Sequence, residues 1–249
     1  MYSLETKNLC KSFGALTVAD NIDFRLEPGA RHALIGPNGA GKTTFVNMLT
    51  GAIAPTSGKI LLNGQEVTKT SQAARVRLGL GRTFQITTLF RSLPVLDNVA
   101  LSVAERTGMA KRMWKSASSH IEILEEARSL LDALGLADDA ATAAQDLPYG
   151  KQRLLEIAVT LGLKPKVLLL DEPAAGVPSH DSGKVLQQLE KLSTDIAVLI
   201  IEHDMDLVFR FAQRITVLVQ GQVLVEGAPS EIAADKRVRD VYLGEATHA

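Results

Sequence analysis

The sequence predicts an α/β fold interrupted by a helical insert, and three observations carry that reading. Short apolar runs at 32–35, 167–170 and 196–201 have the length of buried strands and are bounded by turn or helix signals. Nineteen glycines and a composition with 46% apolar but only 4% aromatic residues fit an aliphatic, layered core better than an all-β sandwich. The stretch 87–150 carries helical signals alone, between two segments in which strands and helices alternate.

Taken in order, residues 4–9 and 18–27 read as strands, with Pro28-Gly29 as a turn. A short strand at 32–35 leads through a glycine-rich turn into a helix over about 42–50. After a turn at 55–58, the strand 59–62 ends at Asn63-Gly64, a hairpin signal, and 80–84 reads as another strand. In the middle, Asp97 is expected to cap a helix running through Ala104. Ser119-His120-Ile121-Glu122 has capping-box spacing, with Ile121, Leu124, Leu131 and Leu134 on one face and Gly135 as the stop. Beyond Gly150 the alternation returns: helix 150–162, strand 167–170, helix 180–191, strand 196–201, helix 204–211, and strands 215–219 and 222–226. The expected organisation is one domain over 1–249. Residues 1–86 and 151–249 form its core, and 87–150 a helical subdomain.

Composition excludes several classes. With 27 Lys plus Arg against 28 Asp plus Glu, bulk charge holds no nucleic acid, and no nucleic-acid partner is expected. A single cysteine, Cys10, rules out an internally disulfide-stapled scaffold. The N-terminal residues show no apolar stretch of a signal peptide, and no run approaches the roughly 20 apolar residues of a membrane span.

Gly36-Pro37-Asn38-Gly39-Ala40-Gly41-Lys42-Thr43 matches GxxxxGK[ST], preceded by a strand and followed by a helix. Glycines let the backbone curl so that successive N–H groups point at phosphate oxygens, and the helix N-terminus adds its positive end. Lys42 would reach the β- and γ-phosphates and Thr43 would offer its hydroxyl to Mg²⁺. By average residue frequencies, a chance match in a chain this long is on the order of one in a hundred. The second signal is a buried strand ending in two acids, Asp171 and Glu172. In isolation, acids at a strand end only mark its exit into solvent. Beside a phosphate loop, however, ligands bind beyond the carboxyl ends of parallel strands. Asp171 can then hold Mg²⁺ through water, and Glu172 can polarise an attacking water. His203 and Gln85 each follow an apolar run and fall at strand ends in the same way.

The segments GPNGAGKTT (36–44, ending at Thr44), TFQ (83–85), LPYGKQR (147–153), VLLLDEP (167–173) and IEHD (201–204) together resemble the nucleotide-binding subunit of an ABC transporter over essentially the whole chain. Within that family the chain is most similar to the ATP-binding subunits of branched-chain amino acid importers. The signs are RTFQ (82–85) with LF at 89–90, the tyrosine of LPYG, EPAAG (172–176), IEHDMDLV (201–208) and YLGEA (242–246). The resemblance implies a P-loop NTPase (RecA-like) α/β core with an antiparallel β subdomain and an inserted α-helical subdomain. It implies ATP and Mg²⁺ as ligands. It also implies a head-to-tail dimer with a second ABC ATPase, the same or a sister subunit, in which each ATP touches one subunit's phosphate loop and the other's signature segment. Two integral membrane permease subunits and, through them, a solute-binding protein would complete the system, with this subunit cytoplasmic and peripheral on the inner membrane. By the same resemblance, Glu172 is the catalytic base and His203 the γ-phosphate sensor. Gln85 links Mg²⁺ to the permease, Phe13 stacks on adenine, and Tyr149, Gly150 and Lys151 belong to the signature.

Two positions depart from the family pattern. The signature's usual serine is Pro148, so contacts there are expected from backbone, Gly150 especially, at a helix start. The usual aspartate of the loop after Glu172 is Pro178. Residues 106–115 hold four basic side chains, no acid, and Trp114, which read either as a solvated loop or as a surface for a permease or anionic headgroups. The rival from another class is a non-transport ABC ATPase, an assembly or DNA-maintenance factor. An unrelated kinase or GTPase would explain neither LPYGKQR nor His203.

Overall fold

The structure, a computed structural model, describes residues 1–83, 89–109, 117–177 and 179–245. In chain order the first half contains β1 (Leu4–Phe13), β2 (Leu16–Leu26), β3 (Arg31–Ile35), α1 (Lys42–Thr50), β4 (Ser57–Leu62), β5 (Gln65–Glu66), α2 (Gln72–Arg77), β6 (Leu80–Arg82), α3 (Val95–Arg106) and α4 (Ala117–Ala133). The second half contains α5 (Tyr149–Gly162), β7 (Val167–Asp171), α6 (Ser179–Glu190), β8 (Ala197–Ile201), α7 (Met205–Phe211), β9 (Arg214–Val219), β10 (Gln222–Gly227), α8 (Pro229–Ala234) and α9 (Lys236–Glu245). The chain divides into two compact units: 1–80 with 166–170 and 193–249, and 81–165 with 171–192. The second unit thus takes in α5 and α6, which the sequence places with the core.

The first unit is built on two sheets. One is antiparallel, in the order β2-β1-β4-β5; the other runs β10-β9-β3-β8-β7-β6, with the last residues of β6 and β7 belonging to the second unit. Strands β3 and β8 are buried along their whole length, which explains their unbroken apolar sequence. Strand β3 is parallel to both β8 and β9, with Leu34 opposite Ile201 and Thr216. Phe45 and Met48 of α1 lie in one core cluster with Leu4, Phe24 and Ile60 of the antiparallel sheet and Leu34 and Leu199 of the other. The Phe24 and Phe45 rings meet edge-on at 5.6 Å.

Arginine 75, on α2, is 1% exposed. Its guanidinium donates to the carbonyls of Met48 and Leu49, each at 2.6 Å, and to Thr68 O at 3.1 Å. A buried cation thus closes the carbonyl end of α1, where the helix dipole is negative. Asn63-Gly64 makes the expected hairpin, both residues with positive φ. Strands β1 and β2 pair further than the sequence suggests, down to Phe13 opposite Leu16.

In the second unit α3, α4 and α5 pack on one another through Val95, Val99, Val103, Ala127, Leu131, Leu155 and Ala158, all buried. Two expectations are corrected here. Asp97 lies in the first turn of α3 and does not cap it. Pro94 holds the N-cap position, and the N–H groups of Val95 and Leu96, which the helix itself cannot satisfy, pair with the carbonyls of Thr142 and Ala140. Helix α4 starts at Ala117, so the box at 119–122 falls inside it. Its buried stripe is Ile123, Ala127 and Leu131; the expected Leu131, and Leu134 just past the helix end, are buried, while Leu124 is half-buried and Ile121 is 55% exposed. Gly135 does stop the helix, with φ +70. Helices α2, α8 and α9 have no counterpart in the sequence reading.

Candidate functional site

In the first unit, the chain leaves β3 at Ile35 and curls through 36–41 into α1. Two glycines are required by close approach as well as by positive φ. A Cβ at Gly36 would lie 2.1 Å from Leu218 O, and one at Gly41 would lie 2.5 Å from Val18 O. The loop is tied down by Ala40 N to Pro37 O at 3.2 Å and by Gly221 N to Ala40 O at 3.0 Å. Asn38, Gly39 and Thr43 are exposed, and Thr44 half-buried, at its open side. Gly41 caps α1 without a side-chain bond, and no acid of the first turn competes for that end. The Lys42 ammonium folds back over the loop, donating to Gly36 O at 2.5 Å and Pro37 O at 2.9 Å.

His203 lies beyond the end of β8. Leu34 and Ile201 are in register on parallel strands, and Gly36 and His203 each follow two residues further along. Its side chain is 69% exposed, with Nδ1 4.0 Å from the carboxylate of Glu202, which is buried and also accepts the His203 N–H at 3.2 Å. Asp204 caps α7, accepting from the N–H groups of Asp206 and Leu207. Phe13 sits at the tip of the β1–β2 hairpin whose Val18 carbonyl touches the loop at Gly41. It is 52% exposed, with the Lys11 ammonium 4.8 Å from its ring centre.

The second unit carries the other expected residues. Asp171, at the end of β7, is not a bare carboxylate: Oδ2 accepts from Arg82 Nη2 at 2.9 Å. Glu172 follows with φ +47, a left-handed conformation that costs about 1 kcal/mol or more outside glycine and concentrates at functional sites. Its carbonyl accepts the Ala175 N–H at 3.0 Å, turning the chain. That turn runs past the start of α5. A Cβ at Gly176 would lie 3.0 Å from Tyr149 Cε1, and one at Gly150 would lie 3.4 Å from Val177 Cγ1. Helix α5 begins at Tyr149 with Pro148 as its N-cap, so the proline replaces the family's serine without disturbing the helix start.

Tyr149 is held by Arg153, whose guanidinium donates to the phenol at 2.6 Å and lies 5.0 Å over the ring. Arg153 also pairs with Glu156 at 2.8 Å. Lys151 is engaged by Asp139 at 2.6 Å. Of the basic stretch, Arg106 bonds Glu126 at 2.6 Å and Gly162 O at 2.9 Å; 110–115 lie outside the described residues, as do Gln85 and Pro178.

Sequence reasoning missed Arg82, Arg153 and Glu156. The Arg-x-x-Glu spacing at 153–156 was a usable signal for a helical ion pair; nothing in the sequence singles out Arg82 as the partner of Asp171. Among the described residues, no group of three or more His, Cys, Asp or Glu side chains could hold a metal by itself. Thr43 in the first unit and Asp171 in the second each offer an oxygen of the kind that magnesium takes beside phosphates and water.

In the first unit, a strand–glycine loop–helix with a lysine folded back over it marks a nucleotide-binding protein. The chain belongs to the ABC transporter family, whose profile matches residues 19–175, and it is an ATP-binding ATPase of that family. A second profile, for branched-chain amino acid ATP-binding cassette transporters, matches residues 222–248. The chain is 38% identical over 250 residues to the high-affinity branched-chain amino acid transport ATP-binding protein LivG of Escherichia coli (strain K12), covering 98% of each. It is 36% identical to the corresponding protein BraF of Pseudomonas aeruginosa, again over 98% of each. Among solved structures, an ATP-binding cassette of an ABC transporter in its ADP conformation superposes with a TM-score of 0.85 at 28% identity, covering 98% of this chain and 99% of that one.

Proposed function

We propose that this ATPase powers import of branched-chain or related amino acids through separate membrane subunits. The carrying observation is the full-length similarity to LivG and BraF, reinforced by the profile match at the C-terminus. No helix of the described residues is long and apolar enough to cross a membrane, which suits a subunit that works through a permease pair at the cytoplasmic face. The working assembly is two such ATPases, identical or sisters, two permease subunits and a solute-binding protein. Residues 87–150 would form the helical subdomain on a core of 1–86 and 151–249.

In this reading the backbone N–H groups of 36–44 and the Lys42 ammonium bind the β- and γ-phosphates, and Phe13 stacks on adenine. Thr43 and Asp171, with Gln85, hold the magnesium, which when bound neutralises charge building on the phosphates. Glu172 orients and deprotonates the attacking water, and its turn at positive φ aims the carboxylate. His203 bonds the γ-phosphate. Tyr149, Gly150 and Lys151 present the start of α5 to the nucleotide of the opposite subunit, through backbone N–H groups and the helix end.

The experiment is reconstitution with candidate permease subunits from the same organism. ATP-dependent uptake of leucine, isoleucine or valine into proteoliposomes supports the proposal. ATPase activity without copurifying membrane partners favours the non-transport alternative.

A further inference from the structure

We propose that Arg82 is the resting counter-ion of Asp171, and that the guanidinium makes metal binding there conditional on nucleotide. The inference rests on the nucleotide-site reading above and adds to it a positioning residue that acts through Asp171.

The two side chains meet at 2.9 Å and are 12% and 11% exposed. A carboxylate so far withdrawn from water needs a cation, and Arg82 supplies it. A second ion pair lies close by. Arg153 and Glu156, 6% and 5% exposed, pair with each other and line the same small cleft as Asp171, together with Thr83, Ile157 and Pro173. Arg153 is committed further to Tyr149. Arg82–Asp171 and Arg153–Glu156 thus form two ion pairs at this cleft.

A divalent cation arriving at Asp171 meets an oxygen already occupied by a positive group. Guanidinium and metal repel at contact distance, and the repulsion is strong where water is scarce. Metal alone offers Asp171 too little to displace Arg82, because a magnesium ion gives up water reluctantly and no group of three or more His, Cys, Asp or Glu among the described residues could hold it. Metal delivered on a triphosphate arrives with most of its ligands in place and with anionic oxygens to receive the displaced guanidinium. Arg82 thus tunes how much the metal contributes to nucleotide binding. It ends β6, one residue before the buried Thr83, so a shift of its side chain is felt at the end of that strand.

The test compares the dissociation constant of β,γ-imido-ATP in EDTA with that in saturating Mn²⁺, by isothermal titration on the full chain. The ratio of the two is the metal's contribution. Arg82→Met should raise that ratio about five- to tenfold over wild type, and Arg82→Lys, which keeps the cation, should return it to within about twofold. Electron paramagnetic resonance of Mn²⁺ without nucleotide should show binding to Arg82→Met at concentrations where wild type binds none. If Arg82→Met is too unstable to titrate, Arg82→Gln gives the same comparison. A ratio that is unchanged or lower in the neutral variants, while wild type binds both forms, overturns the role of Arg82 and leaves the nucleotide site standing. Failure of wild type to bind imido-ATP in either condition overturns the site and this inference together.

Discussion

Replacing Arg75 by methionine isolates what holds the carbonyl end of the phosphate-loop helix. The side chain keeps the apolar stem of arginine and removes the buried guanidinium. Three carbonyls lose a charged donor: Met48 and Leu49 at 2.6 Å and Thr68 at 3.1 Å. Met48 O keeps the Gly51 N–H at 3.1 Å. Hydrogen bonds from charged groups contribute about 1.5–3 kcal/mol each. Against that loss stands the desolvation of a buried cation, which also lowers the Arg75 pKa and is no longer required in the variant. The balance is a destabilisation of about 3 kcal/mol, the scale seen when one partner of a buried polar network is removed. For a chain of this length that corresponds to a fall in Tm of roughly 6–12 °C. Thermal unfolding followed by circular dichroism measures it. Nucleotide affinity at 10 °C should change little, because the loop lies about 13 Å away at the other end of a nine-residue helix. A Tm within 2 °C of wild type would refute the reasoning and show that water replaces the guanidinium at no cost.

Four further outcomes are expected. Lys42→Ala should weaken ATP binding about tenfold or more in an equilibrium titration, by the loss of a charged donor to phosphate; unchanged affinity contradicts the placement of the triphosphate. Glu172→Gln should keep ATP binding, lose most turnover and favour the closed dimer in size-exclusion chromatography, whereas near-normal turnover removes Glu172 as the base. Pro148→Ser should leave ATPase activity similar or raise it, since serine at that N-cap adds up to about 1 kcal/mol to α5; a large loss would mean that the proline itself is needed. His32 is 1% exposed, its Nε2 2.8 Å from Thr216 Oγ1. Burial holds its pKa down at about 4, against 6.5 for the free side chain, with Glu226 opposing the shift and Arg214 adding to it. A base with a depressed folded pKa stabilises the fold above about pH 6.5 and loses that contribution as pH falls toward 4, by about 3 kcal/mol. Urea unfolding from pH 7 to 4 should show the loss in wild type and flatten in His32→Gln; equal slopes would count against the buried neutral imidazole.

Sequence legibility followed the range of the interactions involved. Helix α1 was readable to the residue because glycines bound both its ends, and β7 and β8 were readable because complete burial leaves an unbroken apolar run. Helix α3 was misjudged at its start because its first N–H groups are satisfied by Ala140 and Thr142, over 40 residues away. The stripe of α4 was misjudged because Ile121 is apolar yet exposed. Helix α8 had a local signal in Pro229 and Glu231, whose carboxylate accepts the Ala228 N–H at 2.7 Å. The residues proposed for the site stood out as candidates because the loop, Glu172 and His203 each follow a strand and Asp171 ends one. That Arg82 faces Asp171, and that Tyr149 packs on Gly176, are contacts between segments separated by 89 and 27 residues, which one sequence does not disclose.

The loop at 36–44, Asp171 and His203 are proposed to grip one triphosphate together with its metal. A crystal structure of Glu172→Gln with Mg²⁺ and ATP should show the phosphates within hydrogen-bond reach of the 39–44 backbone and Lys42, a metal ion between Thr43 and Asp171, and His203 on the γ-phosphate. Nucleotide bound at another surface, or bound at the loop with Asp171 and His203 both turned away from it, would rule out that shared grip.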